Sequence, residues 1–174
     1  LNNIMLDLET LGTKPGSVVL SIGAALFDED GLGVTFYRTI NVADSMAKGL
    51  TIDASTLLWW SKQDKAAYQE ALHPRATTLA EVLQDFNDWL GFNSTPSAVK
   101  LWGNGADFDL TLLLACYRAA GMEAPWQFWN HRCYRTLKAL HPHIPAERSN
   151  NHNALDDARN QAEHAVEILR AMQR

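Results

Sequence analysis

Up to about residue 40 the hydrophobic pattern of the chain is that of strands. Asn3 to Leu8 (NIMLDL) interleaves apolar and polar residues, Val18 to Phe27 (VVLSIGAALF) is an almost unbroken apolar run, and Gly33 to Ile40 (GVTFYRTI) is rich in β-branched and aromatic residues. The polar, glycine-bearing segment Asp28–Gly33 (DEDGLG) predicts a hairpin between the second and third strands. Three strands this close together predict an antiparallel meander. The period then changes. Asp53 to Ala71 and Thr77 to Leu90 read as helices; in the second, Leu79, Val82, Leu83, Phe86, Trp89 and Leu90 recur at helical spacing behind a Thr77 or Thr78 cap. Ala98 to Trp102 is a short strand broken by Gly103-Asn104-Gly105. Phe108 to Ala120 is an apolar helix closed by Gly121, and Tyr134 to Leu140 is helical. Asn153 onward is an amphipathic helix with Ala158, Ala162, Ala165, Leu169 and Met172 on one face. Strands followed by alternating helices and strands predict an α/β fold, a mixed sheet covered by helices.

Composition narrows the class. At 174 residues, 47% hydrophobic and 20% charged, the chain suits one domain with a substantial core. No internal repeat or linker divides residues 1–174. No apolar run approaches the roughly 20 residues of a membrane span, and the N-terminus lacks a signal-peptide pattern. Cys116 and Cys133 are too few for a disulfide framework and read as reduced thiols, so a cytoplasmic setting is expected. A net charge of −5 argues against a long basic groove on a duplex but leaves room for an enzyme holding one strand end. Divalent cations bound to carboxylates would cancel much of that charge and draw phosphate in.

Three acidic signals carry the chemistry. Asp7 and Glu9, at i and i+2 on the first strand, project from one face, where like charges repel unless a cation lies between them. Asp107-Phe108-Asp109 follows a strand and a glycine-broken turn, with Asp107 at the expected N-cap and Asp109 in the first helical turn, aimed over the sheet end. In His152-Asn153-Ala154-Leu155-Asp156-Asp157, Asn153 caps the last helix, Asp156 sits near its third position, and Asp157 lies beside the apolar face. His152 follows a polar loop, Glu147 to Asn151. The other five histidines read as surface side chains.

Taken in order, LDLET, GNGADFD and HNALDDA resemble the three motifs of the DEDDh branch of the DnaQ-like 3′→5′ exonucleases, across residues 4 to 170. Within that branch the chain is similar to small phage or prophage exonuclease VIII-like proteins and bacterial exoribonucleases, in which motifs like Trp59-Trp60-Ser61-Lys62-Gln63 recur. The resemblance implies a ribonuclease H-like fold, with Asp7, Glu9, Asp109 and Asp157 holding two ions of Mg²⁺ or Mn²⁺ and His152 acting as general base. It implies 3′→5′ hydrolysis of single-stranded RNA or DNA ends, or of 3′ overhangs, releasing nucleoside 5′-monophosphates. Leu8, Thr10, Trp60, Gln63 and Asn104 are the expected substrate contacts, Trp60 or Trp59 by stacking on a base. Arg132 and Arg135 suit either phosphate contact or a solvated face. A homodimer is compatible with the family. Three other readings stand beside this one: a catalytically silent nucleic-acid-binding module of the same fold, a ribonuclease H-type endonuclease, and a hydrolase of small nucleotide phosphates.

Overall fold

In a computed structural model, which describes residues 2–63, 65, 66, 69, 72, 77–146 and 152–173, the N-terminal pattern becomes strand β1 (Asn3–Thr10). It is followed by β2 (Val19–Asp28) and β3 (Gly31–Thr39), joined by a two-residue turn at Glu29 and Asp30. Both pairings are antiparallel, as the meander predicts. β4 (Lys100–Gly103) and β5 (His131–Cys133) extend the sheet in parallel, giving the order β3-β2-β1-β4-β5. β1 is therefore a central strand, and its C-terminal end opens where antiparallel and parallel halves meet.

Six helices among the described residues flank the sheet: α1 (Val42–Ala47), α2 (Ala54–Trp60), α3 (Leu79–Asn93), α4 (Asp109–Ala119), α5 (Tyr134–Leu140) and α6 (Ala154–Met172). Ile4, Leu6 and Leu8 send their side chains into the larger core, against Leu79, Val82, Leu83, Phe86 and Leu90 of α3 and the apolar face of α4. Met5 points the other way, into a second core with Ala25, Phe27, Tyr134, Ala162, Ala165 and Val166. By strand alternation Asp7 and Glu9 share the face of Met5. Thr78 forms a reciprocal capping box with Glu81 at the start of α3, and Asp53 caps α2 through Ser55 and Thr56.

Several boundaries differ from expectation. α2 ends at Trp60, where the chain turns through residues 61–63; the rest of the expected helix to Ala71 falls partly outside the described residues. The loop from Glu147 to Asn151, and His73, also lie outside them. A single 3₁₀ turn (Pro96–Ala98) occupies the start of the expected fourth strand. Asp107 does not cap α4: Phe108 holds the N-cap position without a side-chain bond, and Asp107 is exposed. Two histidines depart from the surface reading. His164 is buried, bonded to the Tyr134 hydroxyl at 2.7 Å and the Ile144 carbonyl at 2.9 Å, and His131 is half-buried and accepts from the Trp126 indole at 3.0 Å. On α6 the buried stripe runs Ala154, Ala158, Ala162, Ala165, and fades at exposed Met172. Both cysteines are free thiols. Among the described residues no helix is long and apolar enough to cross a membrane.

Candidate active site

Glu9 closes the regular part of β1: beyond it the pairing with β2 shifts at a bulge between Glu9 and Thr10. Such an irregularity re-aims side chains at a strand's end. Here Asp7 and Glu9 converge with Asp157 of α6, and one carboxylate oxygen from each lies within 4.8 Å of the others. Two of these acids are two residues apart and the third is 148 positions further along. The Gln161 amide nitrogen, one helical turn past Asp157, donates to Asp7 Oδ1 at 2.9 Å. Its Oε1 is buried without a hydrogen-bond partner.

Asp109 reaches the same end of the sheet from the start of α4. It is buried, and its Oδ1 accepts from the backbone N–H of Leu8 at 3.3 Å. The Asn104 backbone N–H also bonds this carboxylate. Gly103 makes the room: a Cβ there would stand 3.2 Å from Asp109 Oδ2. Asp109 lies outside the tight trio, yet its charge acts on both Asp7 and Glu9.

The position of Asp157 depends on how closely α6 lies on the sheet. Gly23 pairs with Asp7 in the β1–β2 register, and a Cβ on Gly23 would fall 2.1 Å from the carbonyl carbon and oxygen of Ala154. No side chain fits between that strand and the helix N-terminus. Asn153 Oδ1 caps α6 by accepting from the N–H groups of Leu155 and Asp156. The residue before it, His152, has φ of +46°, and its ring meets the edge or face of Trp59 at 5.0 Å and of Trp60 at 6.5 Å.

Beside Glu9 opens a cavity of about 470 Å³ lined by Leu8, Thr10, Thr13, Ser55, Thr56, Trp59, Trp60 and Phe108. Leu8 and Thr10, two of the expected substrate contacts, are among its lining residues. Trp60 does not offer a stacking face. It is 1% exposed and its indole N–H donates to the Thr10 carbonyl at 2.9 Å, so it braces the wall from behind, whereas Trp59 is 42% exposed. Gln63 turns its amide back onto the Trp59 carbonyl at 3.2 Å, a helix-end bond rather than a pocket contact. Asn104 acts through its backbone, and its Oδ1 is buried without a partner. Gly23 and Gln161 escaped sequence reasoning, although each left a trace: a lone glycine inside an apolar strand, and an amide four residues after a site acid.

The electrostatics are those of a site waiting for positive charge. Burial, then the charges of Asp109, Glu9 and Asp157, hold the Asp7 carboxyl well above the ordinary carboxylate range, against the opposing Gln161 bond. Burial, Asp157 and Asp109 push Glu9 from 4.5 to about 8. Burial raises Asp109 from 3.8 to about 7, opposed by the N–H groups around it and by Arg135. A donor set made only of carboxylate oxygens, buried and mutually repelling, fits hard divalent cations.

The family described as the 3′–5′ exoribonuclease Rv2179c-like domain matches residues 2–169. No curated protein matches the chain by sequence. The chain is similar in structure to the nuclease domain of 3′hExo, a DEDDh family member, bound to rAMP: TM-score 0.64 at 14% identity, covering 97% of this chain and 92% of that one. A full-length 3′-exonuclease gives 0.61 at 14% identity over 98% of this chain. Cell-death related nuclease 4 (CRN-4) gives 0.57 at 14% over 98%. The chain spans only 60% and 63% of those last two proteins. These likenesses establish the fold, a ribonuclease H-like mixed sheet.

Proposed function

Because the chain belongs to the Rv2179c-like 3′–5′ exoribonuclease domain family, and so is a metal-dependent 3′–5′ exonuclease, we propose that residues 1–174 form one domain that removes nucleoside 5′-monophosphates from single-stranded 3′ ends, RNA foremost. The convergence of Asp7, Glu9 and Asp157 carries this reading. The family description and the rAMP held by the 3′hExo nuclease domain favour RNA. The acidic surface favours a single-stranded end or a short 3′ overhang over a long duplex footprint. Two free thiols suit a cytoplasmic setting.

Asp7, Glu9, Asp109 and Asp157 are the residues to hold two divalent ions, Mg²⁺ or Mn²⁺. The chemistry such ions supply when bound is activation of water at neutral pH and neutralisation of the phosphate and its departing 3′ oxygen. The remaining work belongs to the chain. Leu8, Thr10 and Phe108 receive the terminal nucleoside in the cavity, with Trp60 behind them. Trp59 presents the exposed ring on which the base stacks. Gln161 and the Leu8 and Asn104 N–H groups keep Asp7 and Asp109 aimed. His152, set against Trp59, accepts the proton of the attacking water, a task suited to imidazole.

The test uses 5′-labelled single-stranded RNA, the same DNA sequence, and a duplex with a 3′ overhang, each with Mg²⁺, Mn²⁺ or EDTA. A metal-dependent ladder shortening from the 3′ end, fastest on RNA, is the expected result. Internal fragments would support a ribonuclease H-type endonuclease. No shortening by well-folded protein with either metal would leave a binding module or a hydrolase of small nucleotide phosphates.

A further inference from the structure

One cation beside the site has no task in the scheme above. Arg135, the second residue of α5, is exposed, and its Nη2 donates to the Asn104 carbonyl at 2.6 Å. The salt bridges among the described residues are Arg38–Asp85 and Lys48–Asp44, so the guanidinium is tethered by a neutral carbonyl without a direct ion pair, with Asp109 and Asp107 as its acidic neighbours. Asn104 works in both directions: its N–H bonds the Asp109 carboxylate while its C=O holds Arg135. The next residue, Gly105, has φ of +117°, and a Cβ there would stand 3.2 Å from Arg135 Nη2. Glycine suits both the positive φ and this close approach of the guanidinium. An arginine fixed in this way has lost much of its rotamer freedom before any ligand arrives, which favours binding.

Its place relative to the acids sets what it can bind. The surroundings of Asp7 and Glu9 are set by burial and the neighbouring carboxylates, whereas Asp109 also feels Arg135. The nucleoside cavity is lined by Glu9 and by Phe108, the neighbour of Asp109, but not by Asn104 or Arg135. With the 3′-terminal residue in that cavity and the scissile phosphate over the carboxylates, as in the proposed function, the 5′ continuation of the strand lies outside the cavity, where Arg135 is held beside Asp109 through Asn104. We propose that Arg135 binds the substrate phosphate immediately 5′ of the one being cleaved. This rests on the exonuclease reading and adds a length requirement to it: the site engages at least two phosphates. Lys138, three residues on along the same helix face and close enough to sense the charge of Arg135, continues the cationic row.

The proposal predicts different behaviour on substrates with one phosphate and with two. Steady-state kinetics with Mn²⁺ would compare a dinucleoside monophosphate with a trinucleoside diphosphate for wild type, Arg135→Gln and Arg135→Lys. For Arg135→Gln on the longer substrate, KM rises about 10-fold or more with kcat nearly constant, as expected for losing a charge-assisted contact. The slope of log KM against log salt falls by about 0.7, the signature of one phosphate contact on a single strand. On the shorter substrate the loss is several-fold smaller, because any effect of the variant through Asp109 is common to both substrates. Arg135→Lys keeps the salt slope and loses part of the affinity. An equal loss on both substrates, or no loss on the longer one, overturns the assignment. If wild-type protein shortened nothing with either metal, the exonuclease reading itself would fail. Fluorescence anisotropy of a labelled hexanucleotide in Ca²⁺ reads the same contact without turnover, and an unchanged affinity in Arg135→Gln would refute it there too. Arg135 is exposed, so thermal melting of the variant should match wild type; Arg135→Lys serves if it does not.

Discussion

His152 occupies a backbone conformation that non-glycine residues rarely adopt, with φ of +46°, and among the described residues it is the sole non-glycine with positive φ. Conformations of this kind cost energy and persist where surrounding structure enforces them. Here the Asn153 cap follows directly and Trp59 packs against the ring. Imidazole and indole pack as one unit, to which the proposed function gives divided tasks, proton transfer and base stacking. His152→Ala should lower kcat by about 10²–10⁴-fold while leaving the Mn²⁺-induced rise in melting temperature intact. Trp59→Ala should instead raise KM by about 10-fold, from the loss of roughly 1–3 kcal/mol of stacking, with little change in kcat. Single-turnover and steady-state assays on one oligonucleotide separate the two. Turnover within tenfold of wild type in His152→Ala would remove the histidine from its role.

At the scale of elements, the site depends on the seating of α6 against β2. Gly23 allows the contact, and the alanine stripe Ala154, Ala158, Ala162, Ala165 continues it along the helix. Gly23→Val places branched carbon where Ala154 backbone already lies, which forces the helix N-terminus outward. Overpacking of this kind costs about 1–3 kcal/mol, or on the order of 5 °C in melting temperature for a chain of this size. The sharper expectation is that the Mn²⁺-induced thermal shift collapses, because Asp157 moves off Asp7 and Glu9. A full metal shift in a merely destabilised Gly23→Val would show that the helix reseats.

Elements with strong periodicity were legible beforehand. β1, β2, α3, α4, α5 and α6 lie where apolar spacing, caps and glycines predict them, and the three acidic motifs stood out by their order along the chain. β5 was not legible, because three half-buried residues, His131 to Cys133, are too short to show a period. α1, with six residues and one buried side chain, escaped for the same reason. The Trp59 and Trp60 assignment turned on which neighbour faced the Thr10 carbonyl, a tertiary fact that adjacent identical residues cannot encode. Asn104 was expected near Asp109, but its action through the backbone carries no side-chain signature.

For the whole molecule, the crowded carboxylates couple stability to pH and metal. Glu9 moves from 4.5 to about 8 on folding, and Asp109 from 3.8 to about 7. Between the unfolded and folded values the folded protein holds more protons than the unfolded one, so metal-free stability falls as pH rises from 3.8 to about 8. Cation binding reverses the demand, since it needs those protons gone. Melting in EDTA should therefore decline across that window. The rise in melting temperature on adding Mn²⁺ should be larger at pH 8 than at pH 6. A metal shift independent of pH would contradict the shared carboxylate cage.

The same layout bears on when the chain becomes active during its synthesis. Asp7, Glu9 and Asp109 leave the ribosome first, but Asp157 belongs to α6, with His152 just ahead of its cap, and the alanine face of that helix must dock on β2 before the acids meet. A nascent or clipped polypeptide that stops short of that helix has every strand of the sheet in its sequence but lacks one acid of the trio, so under the proposed function it should not cleave. Activity would then wait on the docking of α6 against β2.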